Sequence, residues 1–183
     1  AASTTSSTAS PAGCVLWLTG LSGSGKSAIA DALYERLRSL GIPAERLDGD
    51  ILRQGISKDL GYSKEDRDTN IERAAFLAKY LCKHGVIVVA SFISPYRSQR
   101  EFVKKSVTNF VEIFVNAPLE VCRRRDFKGL YKKALDRQIT NFTGVDHPYE
   151  APEQPDIELK TDQYSVDECA DQIIDYLRKK GMV

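Results

Sequence analysis

Gly20-Leu21-Ser22-Gly23-Ser24-Gly25-Lys26-Ser27 matches the pattern G-x-x-x-x-G-K-[ST] at every position. Each position has a chemical reason. The glycines permit a tight loop whose backbone N–H groups turn inward around a phosphate. A helix beginning at the end of the loop aims its N-terminus, worth about half a positive charge, at the same phosphates. In such a loop Lys26 reaches the β- and γ-phosphates and the Ser27 hydroxyl ligates Mg²⁺. The pattern carries this meaning only between a strand and a helix. Residues 14–19, Cys-Val-Leu-Trp-Leu-Thr, read as a short apolar strand. Beyond the loop, Ile29, Leu33, Leu37 and Leu40 recur near helical spacing until Gly41 and Pro43 stop them. Both flanks are present, so a nucleoside triphosphate with Mg²⁺ is the expected ligand, ahead of a merely flexible Gly/Ser turn.

The same alternation continues outward. Residues 44–47 read as a second strand, running into Asp48-Gly49-Asp50. Ser63 with Glu65 and Asp66 offers a helix N-cap, and Ile71, Ala74, Ala75, Ala78, Leu81 and Cys82 carry an amphipathic helix to His84-Gly85. Residues 86–92 form a continuous apolar run suited to a central parallel strand. Pro95 is expected to open the next helix, with Ser94 as its N-cap. A strand follows at 110–115, a helix at 118–125, a polar Lys- and Gly-rich stretch at 126–155, a strand at 157–159 and a helix at 166–177. Alternating strands and helices with short connections predict an α/β fold: a mostly parallel five-stranded sheet with helices on both faces.

At 183 residues, the chain has room for one domain, or one domain with a tail. Residues 1–12 hold seven Ser or Thr and no large apolar residue. They are expected to be a disordered tail, either a transit-peptide remnant or an expression remnant, with one domain over 13–183. No apolar run approaches the roughly 18 residues of a membrane span, so no membrane partner is expected. The 26 basic and 25 acidic residues leave a formal charge of +1, too little to gather nucleic acid. Any bound anion must be held by a local arrangement. Cys14, Cys82, Cys122 and Cys169 lie far apart without C-x-x-C pairs, which disfavours a zinc site and a disulfide scaffold; buried, reduced thiols are expected.

The loop alone does not separate kinases from other nucleotide hydrolases, although no N-K-x-D run supports a GTPase. Asp48-Gly49-Asp50 falls at the carboxyl end of the second strand, where ligands bind in open α/β sheets. Two carboxylates beside a magnesium triphosphate can divide labour, one organising metal-bound water and the other accepting a proton from an attacking hydroxyl. Which of Asp48 and Asp50 takes which role stays open.

From there the chain resembles the adenosine 5′-phosphosulfate kinase (adenylyl-sulfate kinase) family over residues 14 to about 180. The resemblance rests on ordered blocks. They are Leu47-Asp48-Gly49-Asp50 with Arg53; Lys58-Asp59-Leu60-Gly61-Tyr62-Ser63 with Glu65-Asp66-Arg67 and Asn70-Ile71; and Ser91-Phe92-Ile93-Ser94-Pro95-Tyr96-Arg97. Lys128-Gly129-Leu130-Tyr131-Lys132-Lys133-Ala134, Phe142-Thr143-Gly144 and Pro148-Tyr149-Glu150-Ala151-Pro152 complete the set. It implies a three-layer P-loop kinase fold with a mobile lid at about 126–155. The implied reaction moves the γ-phosphoryl of ATP to the 3′-hydroxyl of adenylyl sulfate, giving 3′-phosphoadenylyl sulfate for sulfate assimilation.

The resemblance implies ATP contacts along Gly20, Leu21, Ser22, Gly23, Ser24, Gly25, Lys26 and Ser27, with Mg²⁺ at Ser27 and Asp50. It places Asp48, Arg53, Tyr62, Arg67, Asn70, Ile93, Ser94, Lys128, Asn141 and Phe142 around the acceptor. Arg53 and Arg67 have forked donors suited to its anion, and Tyr62 and Phe142 would sandwich its adenine. Tyr62 stands where Phe is usual and Asn141 where many relatives carry Gly. Lys26 and Asp50 are the candidate catalytic residues, Asp50 as base. Ser94 occupies a position assigned in relatives as a phosphoserine intermediate, although in-line transfer needs only positioning and charge stabilisation. Arg125, Lys132 or Lys133 could neutralise charge on the transferred group, and 161–165 could line the ATP adenine. A homodimer, fusion to or association with a sulfurylase, and a cytoplasmic location are the further expectations, with a plastid or other organelle if residues 1–12 are a transit remnant. The competing readings are another small metabolite kinase of this fold, separable by a panel of acceptors, and an inactive nucleotide-binding module, disfavoured by intact Lys26, Ser27, Asp48 and Asp50.

Overall fold

The computed structural model describes residues 12–183, so the expectation for the N-terminal tail lies outside the described residues, apart from Ala12. Five parallel strands form one sheet in the order β2-β3-β1-β4-β5. They are β1 Cys14–Thr19, β2 Ala44–Asp48, β3 Ile87–Ser91, β4 Phe110–Asn116 and β5 Ile157–Lys160. The helices are α1 Lys26–Ser39, α2 Gly49–Gln54, α3 Lys64–Lys83, α4 Arg97–Ser106, α5 Leu119–Arg125, α6 Leu130–Leu135 and α7 Val166–Lys179.

The period-two alternation of a strand explains the three layers. Leu16 and Leu18 of β1 face one core with Ile29, Leu33 and Leu37 of α1 and Ile173 and Leu177 of α7. Val15 and Trp17, pointing the other way, join Ala74, Ala75 and Ala78 of α3 and Val103 of α4. Every residue of β1 and β3 is buried, as a strand covered on both faces requires. Because β1 sits between β3 and β4, its carboxyl end is the point where strand order reverses and a crevice opens.

Three local features depart from the sequence reading. Helix α2 was not expected; the Asp48 side chain accepts from the N–H groups of Asp50 and Ile51 and so starts a helix where the sequence reads as a turn. The stretch 126–155 contains α6, begun by Asp126, whose carboxylate accepts from the N–H groups of Tyr131 and Lys132. Helix α4 begins at Arg97 after Tyr96, so Ser94 is not its N-cap and Pro95 is not its first residue. Ser94 is instead buried at φ 41°, and its Oγ accepts from Trp17 Nε1 at 3.1 Å. A tertiary partner took the side chain that the local pattern assigns to a cap.

Leu33 is fully buried between the sheet and α7. Leu33→Ala is expected to lower unfolding free energy by about 2–5 kcal/mol in urea denaturation; a loss below about 1 kcal/mol would show that this core does not carry the fold.

Candidate active site

The phosphate loop leaves the end of β1 and is shaped by backbone contacts that exclude side chains. A Cβ on Gly20 would lie 2.4 Å from the Val115 carbonyl oxygen of β4. Gly25 caps α1 at φ 104° with no side-chain bond, leaving the first helical N–H groups available. Arg125, at the end of α5, donates to the Gly23 and Ser24 carbonyls at 3.1 and 3.3 Å and to the Thr161 carbonyl at 2.7 Å. These bonds pair two of the loop's carbonyl oxygens with a cation. Thr161 Oγ1 also donates to the Ser24 carbonyl. Arg125 and Thr161 therefore hold the loop's shape, a role that sequence reading missed.

Lys26 is buried, and its Nζ donates to the Leu21 carbonyl at 2.7 Å. Burial is the main cause that draws its ammonium from the ordinary 10.5 down to about 8; Lys128 lowers it further, and Cys122 and Asp48 act in the opposite sense. A buried cation with one carbonyl partner is a group awaiting an anion.

One cavity of about 560 Å³ runs from this loop to the second half of the site. It is lined by Ser22, Gly23, Gly25, Lys26 and Ser27 and, opposite, by Asp48, Asp50, Arg53, Tyr62, Arg67, Asn70, Ile93, Ser94, Lys128, Asn141 and Phe142. Gly20, Leu21 and Ser24 do not line it. Gly20 packs on β4, Leu21 packs with Tyr131 and Phe142, and Ser24 is buried.

Asp48 and Asp50 are held differently. Asp48 accepts from two N–H groups of α2 through Oδ1 and from the Ser91 hydroxyl through Oδ2, with the Arg46 guanidinium 3.7 Å away. Asp50, in the first turn of α2, is exposed, and among the described residues its carboxylate is paired only with Lys128. The hydrogen bond to Asp50 is the main cause that raises the Lys128 pKa.

Arg53 lies over the Tyr62 ring, 4.2 Å from its centroid, and donates to the Leu60 and Gly61 carbonyls. Arg67 donates to the carbonyls of Tyr62 and Asn141 and to Thr143 Oγ1, and burial lowers its pKa. The two arginines thus brace the loops that present Tyr62 and Phe142. Asn141 adopts φ 59°, a left-handed conformation that Asn tolerates better than most side chains. Asn70 is buried with Oδ1 unpartnered at the cavity wall. Thr143 was missed because a lone threonine carries no sequence signal until Arg67 reaches it across 76 positions.

All four cysteines have free, buried thiols, and burial pushes Cys14 up to about 12. No described helix is long and apolar enough to cross a membrane.

An open parallel sheet with a phosphate loop facing paired aspartates defines a P-loop kinase. The adenylylsulphate kinase family model matches residues 12–160, and the chain belongs to that family of ATP-dependent phosphotransferases. It is 57% identical over 162 residues to a probable adenylyl-sulfate kinase of Pseudomonas aeruginosa, covering 88% of this chain and 76% of that protein. It is 51% identical over 171 residues to the adenylyl-sulfate kinase of a Synechococcus strain, covering 93% and 98%. Among solved structures, the Mycobacterium tuberculosis APS kinase in complex with AMPPNP and APS superposes with a TM-score of 0.89 at 44% identity, covering 92% and 99%. The bacterial sources of these relatives give no support to an organellar address.

Because Lys26 titrates lower in the folded chain than unfolded, its burial costs stability below pH 8, and the cost fades between about 8 and 10.5. Lys26→Met is therefore expected to melt several degrees above the parent at pH 7, with the gap closing towards pH 10.5. A gap that widens over that range would contradict the buried-ammonium picture.

Proposed function

We propose that the cavity holds ATP at its loop end and adenylyl sulfate at its Asp50–Phe142 end, and that these residues carry the γ-phosphoryl transfer to the 3′-hydroxyl. The supporting observation is that a single cavity is lined both by the phosphate loop and by the two aspartates, two arginines and two aromatics. The loop N–H groups and the Lys26 ammonium take the triphosphate, whose charge would raise the Lys26 proton affinity again.

Among the described residues no group of three or more His, Cys, Asp and Glu could hold a metal ion. That fits Mg²⁺ carried by phosphates, which needs only one or two protein oxygens; Ser27 and Asp50 would supply them. When bound, Mg²⁺ would offset the negative charge of the phosphates.

The difference between the aspartates supports Asp50 as base. Asp48 is occupied capping α2 and binding Ser91, and so fixes where α2 carries Asp50 and Arg53. Among the described residues, the Asp50 carboxylate has only Lys128. The phosphosulfate anion would draw Lys128 away, free Asp50 to take the 3′-hydroxyl proton, and leave the alkoxide oxygen to form its bond to phosphorus as the bond to ADP breaks. Arg53, Arg67 and Asn70 would hold the anion and ribose, with Tyr62 and Phe142 on the adenine and Ile93 and Asn141 lining the pocket. Ser94 Oγ is engaged by Trp17 and Thr19, which favours direct transfer over a phosphoserine. The stretch 126–155, which carries Lys128, Asn141 and Phe142, would act as a lid on the single domain 13–183. The working form on this reading is a cytoplasmic homodimer supplied by a sulfurylase; sedimentation equilibrium tests the first, and co-purification the second.

Steady-state assays with a panel of acceptors test the reading, and absence of turnover on adenylyl sulfate overturns it. Asp50→Ala is expected to lower kcat by about 10²–10⁴-fold; a loss under threefold removes Asp50 as base. Arg67→Ala is expected to weaken acceptor binding by about 2–3 kcal/mol, read as a raised KM for adenylyl sulfate with ATP little affected. An unchanged KM refutes that placement.

A further inference from the structure

Behind the acceptor wall lies a buried polar network that the reaction scheme leaves unused. Arg100 of α4 is 2% exposed. Its Nη1 donates to the Ser94 carbonyl at 2.6 Å and its Nη2 to the Glu150 carbonyl, while Nε faces Glu112 at 3.5 Å. Its guanidinium carbon lies 5.7 Å from the Tyr149 ring centroid. The Tyr149 hydroxyl meets Thr19 Oγ1 at 2.8 Å.

The protons of this network balance. Thr19 donates its one hydroxyl proton to the Ile93 carbonyl at 2.7 Å, leaving two lone pairs. The hydroxyls of Tyr149 and Ser94 donate to those, and Ser94 Oγ accepts from Trp17 Nε1. Every hydroxyl proton has a buried acceptor, the Phe92 carbonyl at 3.2 Å being a second one for Ser94 Oγ. The network joins Thr19, the residue before the phosphate loop; the Ile93–Ser94 turn, which walls the acceptor side of the cavity; and Tyr149–Glu150, the far end of the expected lid stretch.

We propose that Arg100 is a positioning residue for phosphoryl transfer, clamping the Ser94 turn in register with the root of the phosphate loop. The turn needs a clamp: Ser94 sits at φ 41°, a left-handed conformation that costs energy for a residue with a Cβ and persists only where its surroundings over-determine it. Arginine suits the task because its rigid fork spans two carbonyls at once, whereas the single ammonium of lysine does not present two parallel donors. Burying a guanidinium is costly, and here its fork is committed to two main-chain carbonyls, those of Ser94 and Glu150. The polar solution therefore points to geometry at the reacting centre rather than to stability.

The proposal rests on the reading that Ile93 and Ser94 wall the acceptor site. The test measures kcat, KM for adenylyl sulfate, ATP dissociation constant and Tm for Arg100→Lys, for Tyr149→Phe, which keeps the ring over Arg100 but loses the bond to Thr19, and for the double variant. Arg100→Lys is expected to raise the KM for adenylyl sulfate and lower kcat at least tenfold each, with the ATP dissociation constant within threefold. Tyr149→Phe is expected to lower kcat about three- to tenfold at nearly unchanged Tm, and the double variant to lose less than the product of the two. A lowered Tm with both kinetic constants unchanged would make Arg100 purely structural and overturn the proposal. Should Arg100→Lys fail to fold, Tyr149→Phe decides, and wild-type kcat in that variant overturns the clamp. Arg67→Ala separates the two readings: if it raises the KM for adenylyl sulfate and Arg100→Lys does not, only the clamp falls. If neither does, the acceptor-site placement falls with it.

Discussion

A backbone loop has to bind an anion with its N–H groups while packed against a strand with no room for a side chain. Gly20 meets this condition where it touches Val115, and Gly25 supplies the left-handed turn, φ 104°, that leads the loop into α1. Everything around the site follows from that loop. Its carbonyls, pointing the wrong way for phosphate, need a donor, and Arg125 supplies one from α5. Its lysine is buried, and burial lowers its proton affinity.

The acceptor half is organised by a second local device. Asp48 ends β2, caps α2 and is bonded by Ser91 of the neighbouring strand. One carboxylate therefore ties the sheet edge to the short helix that carries Asp50 and Arg53. Asp50 stays exposed, with a lysine from a distant segment as its only ion-pair partner among the described residues. An exposed pair of this kind contributes little to stability, so it can part without disturbing the fold. The site is rigid at Asp48 and yielding at Asp50.

The strands and long helices were legible because their signals are local: apolar runs for β1 and β3, helical spacing for α1 and α7, and a Ser-x-x-acid cap for α3. The sites of error were also local. Asp-Gly-Asp reads equally well as a turn or as a capped helix, and only the bonds from Asp50 and Ile51 to Asp48 select the helix. Ser94-Pro95 carries the signature of a helix start, but Trp17, 77 positions away, captured the serine.

The sequence by itself determined the parallel α/β architecture, the phosphate loop and the family, since each is written in contiguous residues whose chemistry is self-sufficient. It also named most of the residues that line the cavity. The tertiary structure alone decided what those residues hold. Arg53 and Arg67 brace aromatic loops as well as facing the cavity, Arg125 is bonded to the carbonyls of the loop, and Arg100 joins three segments around Ser94. Long polar side chains reach partners set by chain folding, not by neighbours in sequence. Their bonds appear only once the strands have paired and the interior has closed around them.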